Sequence, residues 1–346
     1  MRAVYYERFG VEPYLADVAE PHLPDDGVII QVKASGLCRS DWHGWMGNDP
    51  DIQLPHVPGH EFAGVIAEKG AIVQRWRIGD RVTVPFAVGC GRCNQCLSGN
   101  QHICDDYYQP GFTAWGSFAE FVAIPHADVN LVRVPEEIGF EEASILGCRF
   151  ATAFRAVIAQ GRIRAGECLA VFGCGGVGLS AIMIGGAVGA DVIAVDVNTS
   201  ALDAAKSLGA AHVMKASAEE YVVEQIRALT GGGAHVSIDA LGSEDTCVNS
   251  VLALRKKGRH VQVGLMVADY KEALIPMNVV LSKELEILGS HGMQAHEYPR
   301  MIEMIRSGSL NPKLLISNAI SLDEAPHYLA TMGDFPGIGV TVINKL

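Results

Sequence analysis

Positive charge is in short supply in this 346-residue chain: 27 Lys and Arg face 39 Asp and Glu, for a net charge of -12. A surface that tracks phosphates needs the opposite balance, so nucleic acid is not expected as a partner. The N-terminus, Met1-Arg2-Ala3-Val4-Tyr5-Tyr6-Glu7-Arg8, lacks the apolar core and small-residue cleavage site of a secretory signal, and a cytoplasmic location is expected. An even, paired cysteine set is missing too. The cysteines number nine, with four crowded between Cys90 and Cys104, which suits metal ligation in a reducing compartment better than disulfides. No membrane span is expected either. The 23 uncharged residues between Glu167 and Asp191 are long enough to cross a bilayer, but a glycine turn near their start and a strand-then-helix pattern mark a buried β-α unit.

What the chain does hold is glycine, 38 residues of it, and 49% hydrophobic residues with 19% charged, the composition of a globular enzyme. Its length suits two domains of roughly 150 residues each. The first part alternates short apolar runs with turns: Ala3 to Tyr6, Val28 to Val32, Ala63 to Ala67 and Arg81 to Pro85 are expected strands, so functional residues there sit on loops.

Two stretches in this β-rich part carry metal-ligand chemistry. Gly36-Leu37-Cys38-Arg39-Ser40-Asp41-Trp42-His43 and Pro58-Gly59-His60-Glu61 supply a thiol at Cys38 and an imidazole at His60. Both are zinc ligands by type, and a catalytic zinc takes three protein ligands and keeps one position open. Cys90, Cys93, Cys96 and Cys104 form the second set. Two-residue gaps let tight turns bring thiolates onto one ion, and four thiolates close its shell, which points to a structural zinc. Cys148 is a candidate third ligand beside Cys38 and His60. It lies at Gly147-Cys148, where the pattern reads as a helix end, a small-residue break and a new helix, and a thiol there either faces a cleft or packs between helices.

From Cys168 the pattern becomes α/β. A strand over Cys168 to Phe172, the turn Gly173-Cys174-Gly175-Gly176-Val177-Gly178 and a helix over Leu179 to Gly189 form the context of a dinucleotide fingerprint. The strand Val192 to Val195 ends at Asp196, an acidic residue placed to accept from an adenosine ribose and to repel a 2′-phosphate, favouring NAD over NADP. Helices over Ala201 to Leu208, Ala218 to Thr230 and Thr246 to Arg255 alternate with strands over His212 to Lys215, Val236 to Asp239, Arg259 to Val263 and Leu285 to Ser290. The expected product is a Rossmann-type doubly wound parallel sheet over 149–291, with a β-rich catalytic domain formed by 1–148 and 292–346. Glu297 to Ser307 reads as a helix and Gly339 to Asn344 as a terminal strand able to rejoin the first domain's sheet. The last Rossmann strand would be exposed at its edge, so a homo-oligomer, dimer or tetramer, is expected.

Taken in order, the Cys38 stretch, Gly59-His60-Glu61, the four-cysteine lobe, Gly147-Cys148 and the dinucleotide fingerprint resemble the zinc-dependent alcohol dehydrogenases of the medium-chain dehydrogenase/reductase family across nearly the whole chain. That resemblance implies a GroES-like catalytic domain, two zinc ions per subunit, NAD as cofactor and a small alcohol or carbonyl as substrate. It implies catalytic zinc on Cys38, His60 and Cys148, with Glu61 behind or transiently on the metal. It also implies a proton relay from the alcohol through the Ser40 hydroxyl and the nicotinamide ribose to an exposed His43. Arg39 would meet the pyrophosphate, Thr152 and Val177 would pack behind the nicotinamide, and Phe86 would line the substrate pocket with Trp45 and Trp115. Two departures stand out: Val197-Asn198-Thr199-Ser200-Ala201 after Asp196 lacks the Lys that many relatives carry near Ala201, and no Arg lies in Pro336-Gly337-Ile338-Gly339-Val340. A cysteine at 148, where polyol dehydrogenases of the family carry a carboxylate, favours simple primary or secondary alcohols. Zinc-free reductases and non-catalytic dinucleotide-binding proteins of this fold would have no need of the ligand residues.

Overall fold

A computed structural model of the chain describes residues 1–217, 221–266, 272–333 and 337–346. It divides into two compact units, Met1–Ala151 with Gly292–Ser307 and Ile316–Leu346, and Thr152–His291 with Gly308–Leu315. The sequence places 292–346 in the first domain as one block. Gly308–Leu315 packs with the second unit, with Pro312 and Leu315 buried in a short 3-10 turn.

The first unit is built on the strand Val28–Gly36, which pairs antiparallel with Glu61–Lys69 on one side and with Phe121–Ile124 and the terminal strand Val340–Lys345 on the other. Its alternate residues Val28, Ile30 and Val32 are buried against Phe62, Ile66, Val82 and Val84. Burying each such side chain contributes up to about 1.5–3 kcal/mol, which fixes the strand's register, since a one-residue slip would turn these positions outward. That register places Gly36 opposite Glu61. As a result, Leu37-Cys38 and His60-Glu61 leave the sheet side by side.

The second unit is a six-stranded parallel sheet in the order His212–Lys215, Asp191–Asp196, Cys168–Phe172, Ala234–Asp239, Leu254–Gln262, Glu286–Gly289. By sequence rank the order is 3-2-1-4-5-6, the doubly wound arrangement that binds dinucleotides at the carboxyl ends of its strands. The first helix starts at Gly176 rather than Leu179, so the last residues of the glycine fingerprint already form its first turn. The helix expected over Thr246 to Arg255 is Glu244–Leu252, opened by a capping box between Ser243 and Thr246, and Arg255 belongs to the next strand. The helix expected from Ala218 is seen over Val222–Thr230; its expected start, like Pro336, lies outside the described residues.

The break expected at Gly147-Cys148 is not a break. Leu146–Phe150 form a π-helical turn that follows the helix Phe140–Ser144 and runs into Ala151–Arg155. Gly147 suggested interruption, but its bare Cα is needed for packing: a Cβ there would sit 2.8 Å from the Val84 carbonyl oxygen. Such π turns often mark functional positions, and this one carries Cys148.

Candidate active site and metal centres

Where the strand Val28–Gly36 ends, Cys38 adopts extended backbone angles (φ -119, ψ 151) as N-cap of the helix Arg39–Trp45. Asp41, at the third position of that helix, reaches back so that its Oδ2 accepts from the Cys38 N–H at 3.0 Å. Its Oδ1 accepts from the Gly59 N–H at 3.2 Å and from His60 Nδ1 at 2.7 Å. Asp41 and His60 are both buried. With its proton fixed on Nδ1, His60 turns Nε2 inward, where it is buried and meets no hydrogen-bond partner among the described residues.

Around that nitrogen, one donor atom each from Cys38, His60, Glu61 and Cys148 lies within 4.8 Å of every other. Glu61 is fully buried, and its carboxylate is gripped by Arg149: Nε donates to Oε1 at 3.0 Å and Oε2 at 2.8 Å, Nη2 adds a second contact, and the Arg149 backbone N–H donates to Oε1 at 2.7 Å. Arg149 Nη2 also donates to the Leu37 carbonyl at 2.6 Å, tying the Cys38 loop to the same guanidinium. A hydrogen bond from Cys148 holds the Cys38 thiol well below its ordinary pKa against the effect of burial, with Arg149 and His60 helping. The same hydrogen bond, together with burial, pushes Cys148 well above the usual thiol range. Burial works against charge on His60, but the Asp41 carboxylate and the Cys38 sulfur outweigh it and raise its pKa.

These residues fit a dication. With both thiols ionised, Cys38, Cys148, Glu61 and Asp41 carry four negative charges against the single positive charge of Arg149 in a buried space, an excess that a divalent ion reduces. The orphaned His60 Nε2 is the nitrogen ligand such an ion takes.

Cys90, Cys93, Cys96 and Cys104 form a second cluster within the same 4.8 Å limit. Their sulfurs accept backbone N–H groups in succession: Cys93 N to Cys90 Sγ at 3.4 Å, Cys96 N to Cys93 Sγ at 3.5 Å, and Cys90 N to Cys104 Sγ at 3.3 Å. Cys93 caps the short helix Asn94–Leu97 through its sulfur. Cys93 and Cys104 Sγ are 3.8 Å apart. That is the edge of a tetrahedron with zinc–sulfur bonds of about 2.3 Å, so the lobe is shaped for a four-thiolate zinc.

In the second unit, the turn after Cys168–Phe172 needs its glycines for distinct reasons. Gly173 has φ +92, and a Cβ on Gly178 would lie 1.8 Å from the Gly173 carbonyl oxygen. A Cβ on Gly175 would meet nothing within 4 Å, so the backbone at the helix N-terminus is open to a pyrophosphate. Asp196 braces this turn. Its Oδ2 accepts from the Cys174 N–H at 2.6 Å and its Oδ1 from the Asn198 N–H at 2.8 Å, leaving further lone pairs for a ribose. Thr152 is buried, its Oγ1 without a hydrogen-bond partner among the described residues, and Val177 is half-buried in the first helical turn.

Two family models match the chain, the alcohol dehydrogenase GroES-like domain over residues 24–136 and zinc-binding dehydrogenase over residues 176–307. The NAD-dependent alcohol dehydrogenase of Sulfurisphaera tokodaii is 34% identical, with 99% of each chain covered. The chain belongs to the zinc-type alcohol dehydrogenases of the medium-chain dehydrogenase/reductase family. Sorbitol dehydrogenase of Bacillus subtilis is 32% identical, with 88% of this dehydrogenase and 86% of that protein covered. Among solved structures, the alcohol dehydrogenase TADH from Thermus sp. ATN1 superposes with a TM-score of 0.91 at 30% identity, covering all of both chains.

Not every residue singled out in the dehydrogenase sequence lies as expected. His43, expected at the surface, is half-buried, its Nδ1 3.4 Å from Asn48 Nδ2, and burial and then the Arg39 charge lower its pKa. Ser40 Oγ lies 3.8 Å from Cys38 Sγ. Arg39 is exposed, stacked 4.3 Å over Trp42 and donating to the Met332 carbonyl at 2.6 Å. Trp45 is core, packed with Val4, Tyr6 and Phe118. Phe86 flanks the His60 ring at 6.2 Å, and Phe112, which the sequence reading passed over, flanks it at 5.3 Å. Phe112 also lines a cavity of about 360 Å³ with Leu54, His56 and Trp115. Asp41 and Arg149 were likewise missed. The signal for Asp41 was its place three residues after Cys38, the capping-box spacing; none marked Arg149 as the partner of Glu61.

Proposed function

We propose that this dehydrogenase oxidises simple primary or secondary alcohols to aldehydes or ketones, and the reverse, with one zinc held by Cys38, His60 and Cys148, a second held by the four-cysteine lobe, and NAD as hydride acceptor. The observation that carries the reading is the buried, unpartnered His60 Nε2 facing two thiols while Glu61 is occupied by Arg149, a three-ligand set with room for a fourth. When bound, the zinc supplies a Lewis acid that acidifies an alcohol or polarises a carbonyl, and NAD takes or returns the hydride.

The chain's own residues do the rest. Asp41 holds the His60 tautomer; burial raises the Glu61 pKa, and Arg149 opposes that shift and engages both carboxylate oxygens. The Ser40 hydroxyl takes the alcohol proton, and His43, three residues on and on the same helix face, passes it to solvent. The lowered pKa of His43 favours the neutral ring that can receive it. Phe86 and Phe112 exclude water beside His60. Gly173, Gly175, Gly176 and Gly178 seat the pyrophosphate, Asp196 selects the unphosphorylated ribose, and Arg39, Thr152 and Val177 complete the cofactor contacts. The thiol at Cys148 favours simple alcohols over polyols.

The NAD-dependent name of the Sulfurisphaera relative and the brace between Asp196 and the glycine turn support NAD. We further infer a homo-oligomer joined at the outer strand Glu286–Gly289, whose one sheet neighbour among the described residues is Leu254–Gln262; a solution mass of one 37.0 kDa chain would rule it out. Unpaired cysteines support the cytoplasm, and no helix among the described residues is long and apolar enough to cross a membrane. The test of the reaction is alcohol-dependent NADH formation by zinc-loaded protein, with Asp196→Ala narrowing the preference for NAD over NADP. Zinc-loaded protein that reduces NAD with no alcohol of this class would refute the reading.

A further inference from the structure

The second unit carries a charged cavity that alcohol oxidation does not use. It has a volume of about 470 Å³ and lies where the parallel strands begin, at Glu167, His235, Arg255 to Arg259 and Glu286. The glycine turn follows the other end of the same sheet, after Phe172.

Six cations line the cavity: Arg162, Arg164, Arg255, Lys256, Lys257 and Arg259. Three have carboxylate partners: Arg162 pairs with Glu286, Arg259 with Glu167 at 2.9 Å, and Lys257 with Glu284. Arg164, Arg255 and Lys256 have no such partner among the described residues. Three uncompensated cations in one cavity repel each other, on a chain whose net charge is -12. A bound polyanion removes that repulsion.

His235 makes the point in atomic terms. Its Nδ1 accepts from the Cys168 N–H at 3.0 Å, which puts the proton of the neutral ring on Nε2. Nε2 faces Arg255 Nη1 at 2.7 Å, donor against donor. Burial first, and then the Arg255 charge, keep the ring neutral. An anionic oxygen beside the two would accept from both. Arg162 and Lys257 meanwhile hold left-handed backbone (φ 49 and 61), a conformation unfavourable for residues with a Cβ, and both present their side chains to this cavity.

We propose that this cavity binds a multivalent phosphate anion of the pyrophosphate or polyphosphate type, at a site separate from the dinucleotide turn. Three cations without a carboxylate partner, one of them Arg255 converging with the His235 N–H, match the charge and acceptor density of linked phosphates. These six cations share one cavity on an acidic chain, which disfavours the extended backbone of nucleic acid.

The experiment is calorimetric titration of inorganic pyrophosphate into zinc-loaded protein saturated with NADH, so that the dinucleotide turn is already filled. We expect saturable binding that weakens by about tenfold or more in the double variant R164E/K256E, with alcohol turnover unchanged. Both side chains are exposed, so the fold should survive, and the milder R164Q/K256Q keeps the test valid if it does not. Titrating a nucleoside triphosphate and inorganic tripolyphosphate in parallel separates the sources: tighter nucleoside triphosphate binding assigns a nucleotide ligand, and equal binding an inorganic one. The proposal is overturned by no pyrophosphate binding in the parent, by equal binding in the variants, or by binding of a short DNA duplex without binding of pyrophosphate.

Discussion

The two cysteine-bearing clusters of the first unit are made of nearly the same chemistry and built in opposite ways. The four-cysteine lobe comes from one short stretch, Cys90 to Cys104, and its sulfurs are supported by backbone N–H groups of that stretch. The mixed cluster gathers Cys38 from the end of one strand, His60 from the start of another and Cys148 from a distant π turn. Its supports are charged side chains, Asp41 behind His60 and Arg149 behind Glu61. On the proposed assignment the lobe is a closed knot that shapes its own stretch of chain. The mixed site depends on the sheet register that sets Gly36 opposite Glu61 and on buried charges that balance one another.

Removing the guanidinium should break this contrast most severely. Arg149→Met would leave the Glu61 carboxylate buried and unpaired, and should lower stability by about 3–5 kcal/mol while the lobe keeps its zinc. Denaturant unfolding together with zinc analysis checks it; a variant as stable as the parent would mean the pair is not what holds the site.

Asp41→Asn sharpens the comparison with a smaller effect. It keeps the shape but removes the charge behind His60, so zinc affinity at the mixed site, or turnover, should fall by about 10- to 100-fold. Zinc at the lobe should not respond. Competition with a graded chelator separates the two ions, and equal loosening of both would contradict the assignment of Asp41.

The same contrast explains what could be read from the sequence. The lobe was legible because its ligands are local, and spacing alone brings four thiols to one point. The parallel sheet was legible from its alternating apolar runs, with boundaries missed where a capping box or a glycine turn decides the first helical residue, as at Ser243 and Gly176. Cys148 could be placed with Cys38 and His60 only through the family resemblance, because its position depends on packing between distant segments and on a π turn that hydrophobic periodicity does not encode. Arg149 left no sequence signal for the same reason: its partner Glu61 is 88 residues away. The half-burial of His43 is also a tertiary property, set by what packs around the helix Arg39–Trp45.

The most direct test is to count zinc per chain in the parent, in Cys96→Ser and in Cys148→Ser, and to assay alcohol-dependent NAD reduction on the same samples. Two ions are expected in the parent and one in each variant, with reduction abolished in Cys148→Ser but retained by the folded fraction of Cys96→Ser. A Cys148→Ser protein that holds both ions and reduces NAD at the parent's rate would contradict the three-ligand catalytic centre.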